Sequence, residues 1–170
     1  MPTTIEKAQV TLPSDREVKV VRSFRAPRAL VYKAYTEPSL VQRWLLGPPG
    51  WSMPVCEMDV RVGGRYRWRW RSEKDGSEFG FSGTFREVEP PSKLVHSEAY
   101  DPGTVSDDFP TDDAIVTVTF REDAGVTTMT TLTDFGSKEA RDAALATGMT
   151  DGMEQSYQLL DRLLDKTSGA

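Results

Sequence analysis

The stretch Arg65-Tyr66-Arg67-Trp68-Arg69-Trp70-Arg71 alternates without a break between arginine and an aromatic ring. Successive side chains of a β-strand point to opposite faces, so Tyr66, Trp68 and Trp70 share one face and the four arginines share the other. The aromatic face is the one to point inward. The arginine face reads as a solvated outer surface that discourages stacking of sheets, with a site for an acidic partner as the alternative. Val62-Gly63-Gly64 before the strand and Lys74-Asp75-Gly76 after it supply the positive-φ residues of tight reversals. Its neighbours are therefore expected to pair with it antiparallel.

Working outward, residues 53–60, 79–88, 93–100, 114–120 and 126–132 form further extended runs, the last two joined by Asp123-Ala124-Gly125. Residues 16–25 add a first strand, in which Val18, Val20 and Phe24 lie at period-two spacing. Pro27 and Pro38 then open two short helices, with Leu30, Val31, Ala34 and Tyr35 on one and Leu40, Val41, Trp44 and Leu45 on the other. Gly47-Pro48-Pro49-Gly50 ends that excursion. Ser137 is an N-cap candidate and Glu139 suits a first turn. Met149, Met153, Tyr157, Leu160 and Leu164 then follow at helical spacing, predicting one long amphipathic C-terminal helix. The expected fold is α+β: a curved seven-stranded antiparallel sheet, two short helices after the first strand, and a long helix gripped by the sheet with a cavity between them. Residues 14–166 form the single domain, with 1–13 a loose tail or leading edge segment and 167–170 a C-terminal tail.

Composition narrows the function. The chain has 170 residues, 21 basic against 26 acidic, a net charge of -5 and 38% hydrophobic residues. That balance argues against nucleic acid as a partner. No leader-like segment opens the sequence and no run reaches membrane-spanning length, so a membrane partner is not expected. Cys56 is the sole cysteine, which excludes an intrachain disulfide and fits a cytoplasmic setting. A buried small residue is the plain reading of Cys56. Asp107, Asp108, Asp112 and Asp113 sit in the acidic, turn-rich stretch 101–113, which reads as a mobile loop near a cavity mouth. They lack the alternation and glycine of a calcium loop, so no metal is expected. There is no phosphate-cradling loop and no nucleophile elbow, and no cofactor is called for.

Phe24-Arg25-Ala26-Pro27, Trp44 with Gly47-Pro48, and Asp59-Val60-Arg61-Val62-Gly63-Gly64-Arg65-Tyr66-Arg67 occur in that order. Gly83, Glu87-Val88-Glu89-Pro90-Pro91, Lys93-Leu94-Val95, and Gly152 before Leu160-Asp161-Arg162-Leu163 follow. From about residue 16 onward the sequence resembles the AHSA1-like group (Activator of Hsp90 ATPase homologue-like) of the SRPBCC, Bet v 1-like or START-like superfamily. The resemblance implies the helix-grip fold and, in many members, a ligand cavity. It leaves open a carrier, a cyclase, aromatase or hydrolase, and a co-chaperone acting on an Hsp90-type ATPase. Val62 stands where the group usually has proline, and Met153 where it often has tryptophan.

The candidate wall of such a cavity comprises Trp44, Tyr66, Trp68, Trp70 and Phe81 from the helix and strands, and Met149, Met153 and Tyr157 from the last helix. Plain core packing is the alternative for each of them. Gly148 and Gly152, inside the predicted helix, imply a bend, a close approach or room for a ligand. His96, Glu98 and Tyr100 share a face of one strand, where the resemblance implies bulky apolar side chains facing the cavity. A carboxylate two residues from the sole histidine suggests a pair in which Glu98 orients His96 or raises its pKa, either for acid–base catalysis or to hold a polar ligand group. The leading expectation is binding of a small apolar or aromatic molecule, with a homodimer left open.

Overall fold

A computed structural model describes residues 7–101 and 113–168, with side chains through residue 166. Eight antiparallel strands are hydrogen-bonded in the order β1-β2-β8-β7-β6-β5-β4-β3. They are β1 (Gln9–Thr11), β2 (Glu17–Phe24), β3 (Trp51–Met58), β4 (Arg65–Ser72), β5 (Glu78–Glu89), β6 (Lys93–Asp101), β7 (Ala114–Asp123) and β8 (Val126–Asp134). Helices α1 (Arg28–Thr36) and α2 (Pro38–Trp44) follow β2, while α3 (Lys138–Ala146) and α4 (Met149–Ser168) follow β8. The run from β3 to β8 is a meander of sequence neighbours, and β2 pairs with β8 across the length of the chain. This is the expected helix-grip architecture, with two differences in its elements.

The sheet has one strand more than the periodicity predicts. β1 is three exposed residues paired to Lys19, Val20 and Val21 of β2, too short to show an alternation. The predicted single C-terminal helix is two. Ser137 caps α3, its Oγ accepting from the Ala140 N–H at 3.1 Å. That helix stops at Thr147, because Gly148 adopts φ +82, a left-handed conformation that side chains oppose, and α4 starts afresh at Met149. The acidic stretch expected to form a loop near the cavity mouth lies largely outside the described residues. Among the described residues no group of three metal-binding side chains occurs, and no helix is long and apolar enough to cross a membrane.

The inward face of the sheet carries Val18, Val20, Phe24, Trp68, Trp70, Leu94, Val118, Phe120 and Met129, all buried. On β4, Arg65, Arg67 and Arg71 are exposed opposite the buried rings, as the alternation requires. Arg69 is drawn into ion pairs with Glu78 at 2.6 Å and Asp101 at 2.8 Å. Helix α4 is fixed to this face at several points. Tyr157 meets Phe24 edge-on with centroids 5.7 Å apart and stacks on Trp44 at 6.3 Å. Leu160 and Leu164 are buried beyond it.

Arg22 departs from the apolar pattern of β2. It is 4% exposed and bridges to two carboxylates of α4, Glu154 at 3.1 Å and Asp161 at 2.7 Å. Its Nη1 also donates to the Ser23 carbonyl at 2.9 Å. Burial alone would raise the Glu154 carboxyl, but the bonds from Arg22 and the Ala8 N–H hold it below its ordinary value. A buried ion pair is strongly destabilising when one partner is removed, because the other is left uncompensated. Arg22→Ala is therefore expected to lower stability by about 3 kcal/mol in urea unfolding. A loss below about 1 kcal/mol would show that the bridge does not hold α4.

Candidate functional site

The sheet and α4 diverge toward the N-terminal end of that helix and leave a cavity of about 600 Å³. Its floor is the inward face of β4 to β8, its roof the α3–α4 junction and the first two turns of α4, and its side α1, α2 and the loop after them. That loop is tied to the roof by the Gly47 N–H donating to Ser156 Oγ at 2.8 Å. Trp44, Trp68, Trp70, Phe81, His96, Glu98, Tyr100, Met149, Met153 and Tyr157 all line the cavity, so ten of the eleven expected wall residues meet there.

Tyr66 is the exception. It is 2% exposed and lies in the layer behind the wall, where its hydroxyl donates to the Ser97 carbonyl at 2.6 Å. Gly83, its partner on β5, makes this possible. A Cβ there would run into the Ser97 carbonyl and stand 2.9 Å from Tyr66 Cε1. The bare backbone lets the ring lie close against β5.

Further residues complete the lining. Tyr35 reaches in from α1, Trp51 stands on the edge strand β3, Phe79 comes from the start of β5, and Thr131, Thr133 and Phe135 extend the floor. Phe79 stacks on Trp70 with centroids 5.3 Å apart and meets Trp51 edge-on at 5.3 Å. Its spacing from Phe81 and the β4–β5 hairpin register could have found it. Trp51 and the threonines give no such signal, since they come from a strand start and a strand of repeated threonines.

The polar wall differs from the pair that the sequence suggested. His96 Nδ1 lies 3.0 Å from the Ser97 carbonyl, not on Glu98. Since a carbonyl only accepts, Nδ1 carries the proton and Nε2 is left as an acceptor. Nε2 is buried and takes no hydrogen bond. The ring sits between Tyr66, Trp68 and Phe85, at centroid distances of 4.8, 6.2 and 5.8 Å. Burial lowers its pKa to about 4, against the raising effect of the Ser97 carbonyl, so the imidazole is neutral near pH 7. Glu98 therefore does not raise the His96 pKa.

Glu98 stands beside Ala114 of β7, whose small side chain leaves the carboxyl open to the cavity. No described group donates a hydrogen bond to it, and burial pushes its pKa up to about 7. Trp68 Nε1 is also buried without a partner. By contrast, Trp70 Nε1 donates to the Leu45 carbonyl at 2.6 Å and Trp44 Nε1 to the Ala34 carbonyl at 2.9 Å. Burial raises the Tyr157 hydroxyl to about 12, with Thr131 opposing, and burial likewise raises Tyr35. Cys56 lies outside the cavity, its thiol pushed up to about 11 by burial, which makes it a poor nucleophile.

A curved sheet gripping a helix over an aromatic cavity with unpaired polar atoms defines a helix-grip domain whose fold is compatible with ligand binding. Residues 25–165 match the family described as Activator of Hsp90 ATPase homolog 1-like protein, and the chain belongs to that family. Among solved structures, it is similar to a Rhodobacter sphaeroides protein at 30% identity and TM-score 0.85, over 95% of this chain and 99% of that one. A Mycobacterium smegmatis protein shares the fold at 23% identity and TM-score 0.79, over 95% of this chain and 97% of that one. An AHSA1 protein from Silicibacter pomeroyi does so at 17% identity and TM-score 0.68, over 89% and 99%. No curated protein matches.

The Glu98 pKa carries a sign that can be measured. A folded-state value raised from 4.5 to about 7 gives stability that is fully present below the unfolded value and lost as pH rises through the folded one. The titratable groups facing Glu98 are His96 on its own strand, Tyr35 of α1 and Tyr66 of β4, and neither phenol ionises in this range. Glu98→Gln is expected to gain about 2 kcal/mol on the wild type between roughly pH 4.5 and 8, allowing for the partial exposure of the side chain. Denaturant unfolding across that range checks it. Parallel pH profiles for the two proteins would show that Glu98 titrates normally.

Proposed function

We propose that this domain binds a small, largely apolar or aromatic molecule in the cavity, with the ligand's polar group held at His96 and Glu98. The supporting observation is an aromatic-lined space of about 600 Å³ that retains unpaired buried polar atoms. Protein interiors otherwise close such spaces and pair such atoms. The volume falls within the range of small-molecule pockets, which are mostly apolar with a few placed polar groups. Trp68, Trp70, Phe81 and Tyr100 would form the aromatic floor, with Trp44, Met149, Met153 and Tyr157 closing the other side. The methionine thioethers suit a roof that adapts to its occupant. A cytoplasmic setting fits the single cysteine.

The Glu98 pKa near 7 favours a second reading, in which Glu98 alone transfers a proton to or from the bound molecule. His96 would then orient the substrate rather than act as the base. That reading requires turnover, with a pH-rate profile governed by Glu98 and lost in Glu98→Gln.

Gly152 offers a test that separates binding from folding. It lines the cavity from α4, and a Cβ built on it meets nothing within 4 Å. Gly152→Leu is expected to fill the pocket while stabilising the protein by about 1 kcal/mol, since leucine favours a helix interior that glycine disfavours. Titration with the neutral dye Nile red, followed by its fluorescence, should give saturable binding to the wild type and at least about tenfold weaker binding to the variant. Equal affinity in the two proteins would place the binding elsewhere.

A further inference from the structure

The unpaired atoms of the cavity differ in kind, and that difference selects a ligand. His96 Nε2 is an acceptor because Nδ1 carries the proton and donates it in a hydrogen bond to the Ser97 carbonyl. Glu98 receives no hydrogen bond from any described residue, and when ionised it can only accept. Against these acceptors stand two neutral donors, the buried and unpaired Trp68 Nε1 and the phenol of Tyr35, which stays protonated; neither carries a charge. Charge points the same way. The described residues lining the cavity include the carboxylates Glu98 and Asp151 but no lysine or arginine. The wall beside Glu98 is built from aromatic rings, whose faces are electronegative and attract a cation.

Resting on the binding reading above, we propose that the ligand is a protonated amine on an aromatic or apolar skeleton, its ammonium group donating to Glu98 and to His96 Nε2. An ammonium offers several N–H donors and supplies the counter-charge that the cavity lacks. A carboxylate ligand would bring a second anion beside Glu98 with no cation to receive it. A neutral hydroxyl can give one hydrogen bond, but it leaves the charge of Glu98 uncompensated. Trp68, Trp70 and Phe81 hold the skeleton.

The test uses the intact chain with Nile red bound, at about pH 8, where Glu98 is largely ionised. Tryptamine, tryptophol and indoleacetate share one ring system and differ in the charge of the head group. Tryptamine is expected to displace the dye at concentrations at least tenfold lower than the other two. In Glu98→Gln the three should compete within about threefold of one another, and Glu98→Asp, which keeps the charge, should retain part of the preference. The proposal is overturned if tryptophol or indoleacetate matches tryptamine, if Glu98→Gln keeps the preference, or if none of the three displaces bound dye. If Nile red itself does not bind, the apolar-ligand reading falls first and this proposal falls with it.

Discussion

The Ser97 carbonyl organises the site. It accepts from the Tyr66 hydroxyl at 2.6 Å and pairs with His96 Nδ1 at 3.0 Å, both inside the protein. The neighbouring strand adapts to this arrangement. The Thr84 N–H binds Ser97 Oγ at 2.9 Å, while Gly83 leaves space over β5 for the Ser97 carbonyl and the Tyr66 ring. A single backbone oxygen thus fixes the tautomer of His96, presents Nε2 as an acceptor and holds Tyr66 in the layer behind the wall. Without it, Tyr66 would be left with an unpaired hydroxyl in an apolar layer and His96 would have no reason to prefer one tautomer.

The cavity follows from how α4 is held. Arg22 fixes one face of it at two points, Glu154 near its start and Asp161 two turns on, and Leu160 and Leu164 are buried where the later turns meet the sheet. Toward the N-terminus the helix carries Gly152 and Met153, the preceding Gly148 breaks it from α3, and the wedge opens. Opposite that opening the sheet offers Ala114 beside Glu98, a small residue where a large one would close the space. The opening thus lies between small residues on both sides, Gly148 and Gly152 at the helix start and Ala114 on the sheet. Tyr157 stands at the boundary, stacked on Trp44 on the packed side and lining the cavity on the other.

Much of this was legible in the sequence. The alternation of β4 gave the inward rings and the outward arginines, and glycine-bearing turns gave the meander, because both are local consequences of backbone geometry. That His96, Glu98 and Tyr100 share one face followed from the same period of two, while the family resemblance implied that this face turns inward. What the sequence could not show is contact. Tyr66 and Trp68 have identical local patterns, and only the bare Gly83 on the neighbouring strand draws Tyr66 out of the wall. His96 and Glu98 share a face, yet the nearer acceptor for the imidazole is the carbonyl of the residue between them. The break at Gly148 was visible as a glycine, but a glycine in a helical pattern does not announce its φ. Thr131 and Thr133 were hidden because β-branched polar residues suit either face of a strand.

Glu98 bears most directly on why the cavity is open. An unpaired carboxyl in apolar surroundings weakens the fold as soon as it ionises, and glutamine or leucine at that position would remove the penalty. The same holds for Gly152, where almost any side chain would favour the helix and fill space. Two positions that both work against stability, and that both face one volume, are hard to explain as packing. They are consistent with a wall shaped for an occupant that completes it. Whatever fills the volume must also satisfy His96 Nε2, so the occupant that binds best presents donors to both groups while covering the rings. Water can meet the first condition but not the second. A molecule with a donating head and an apolar body meets both, and its affinity draws on the two deficits that the empty domain carries.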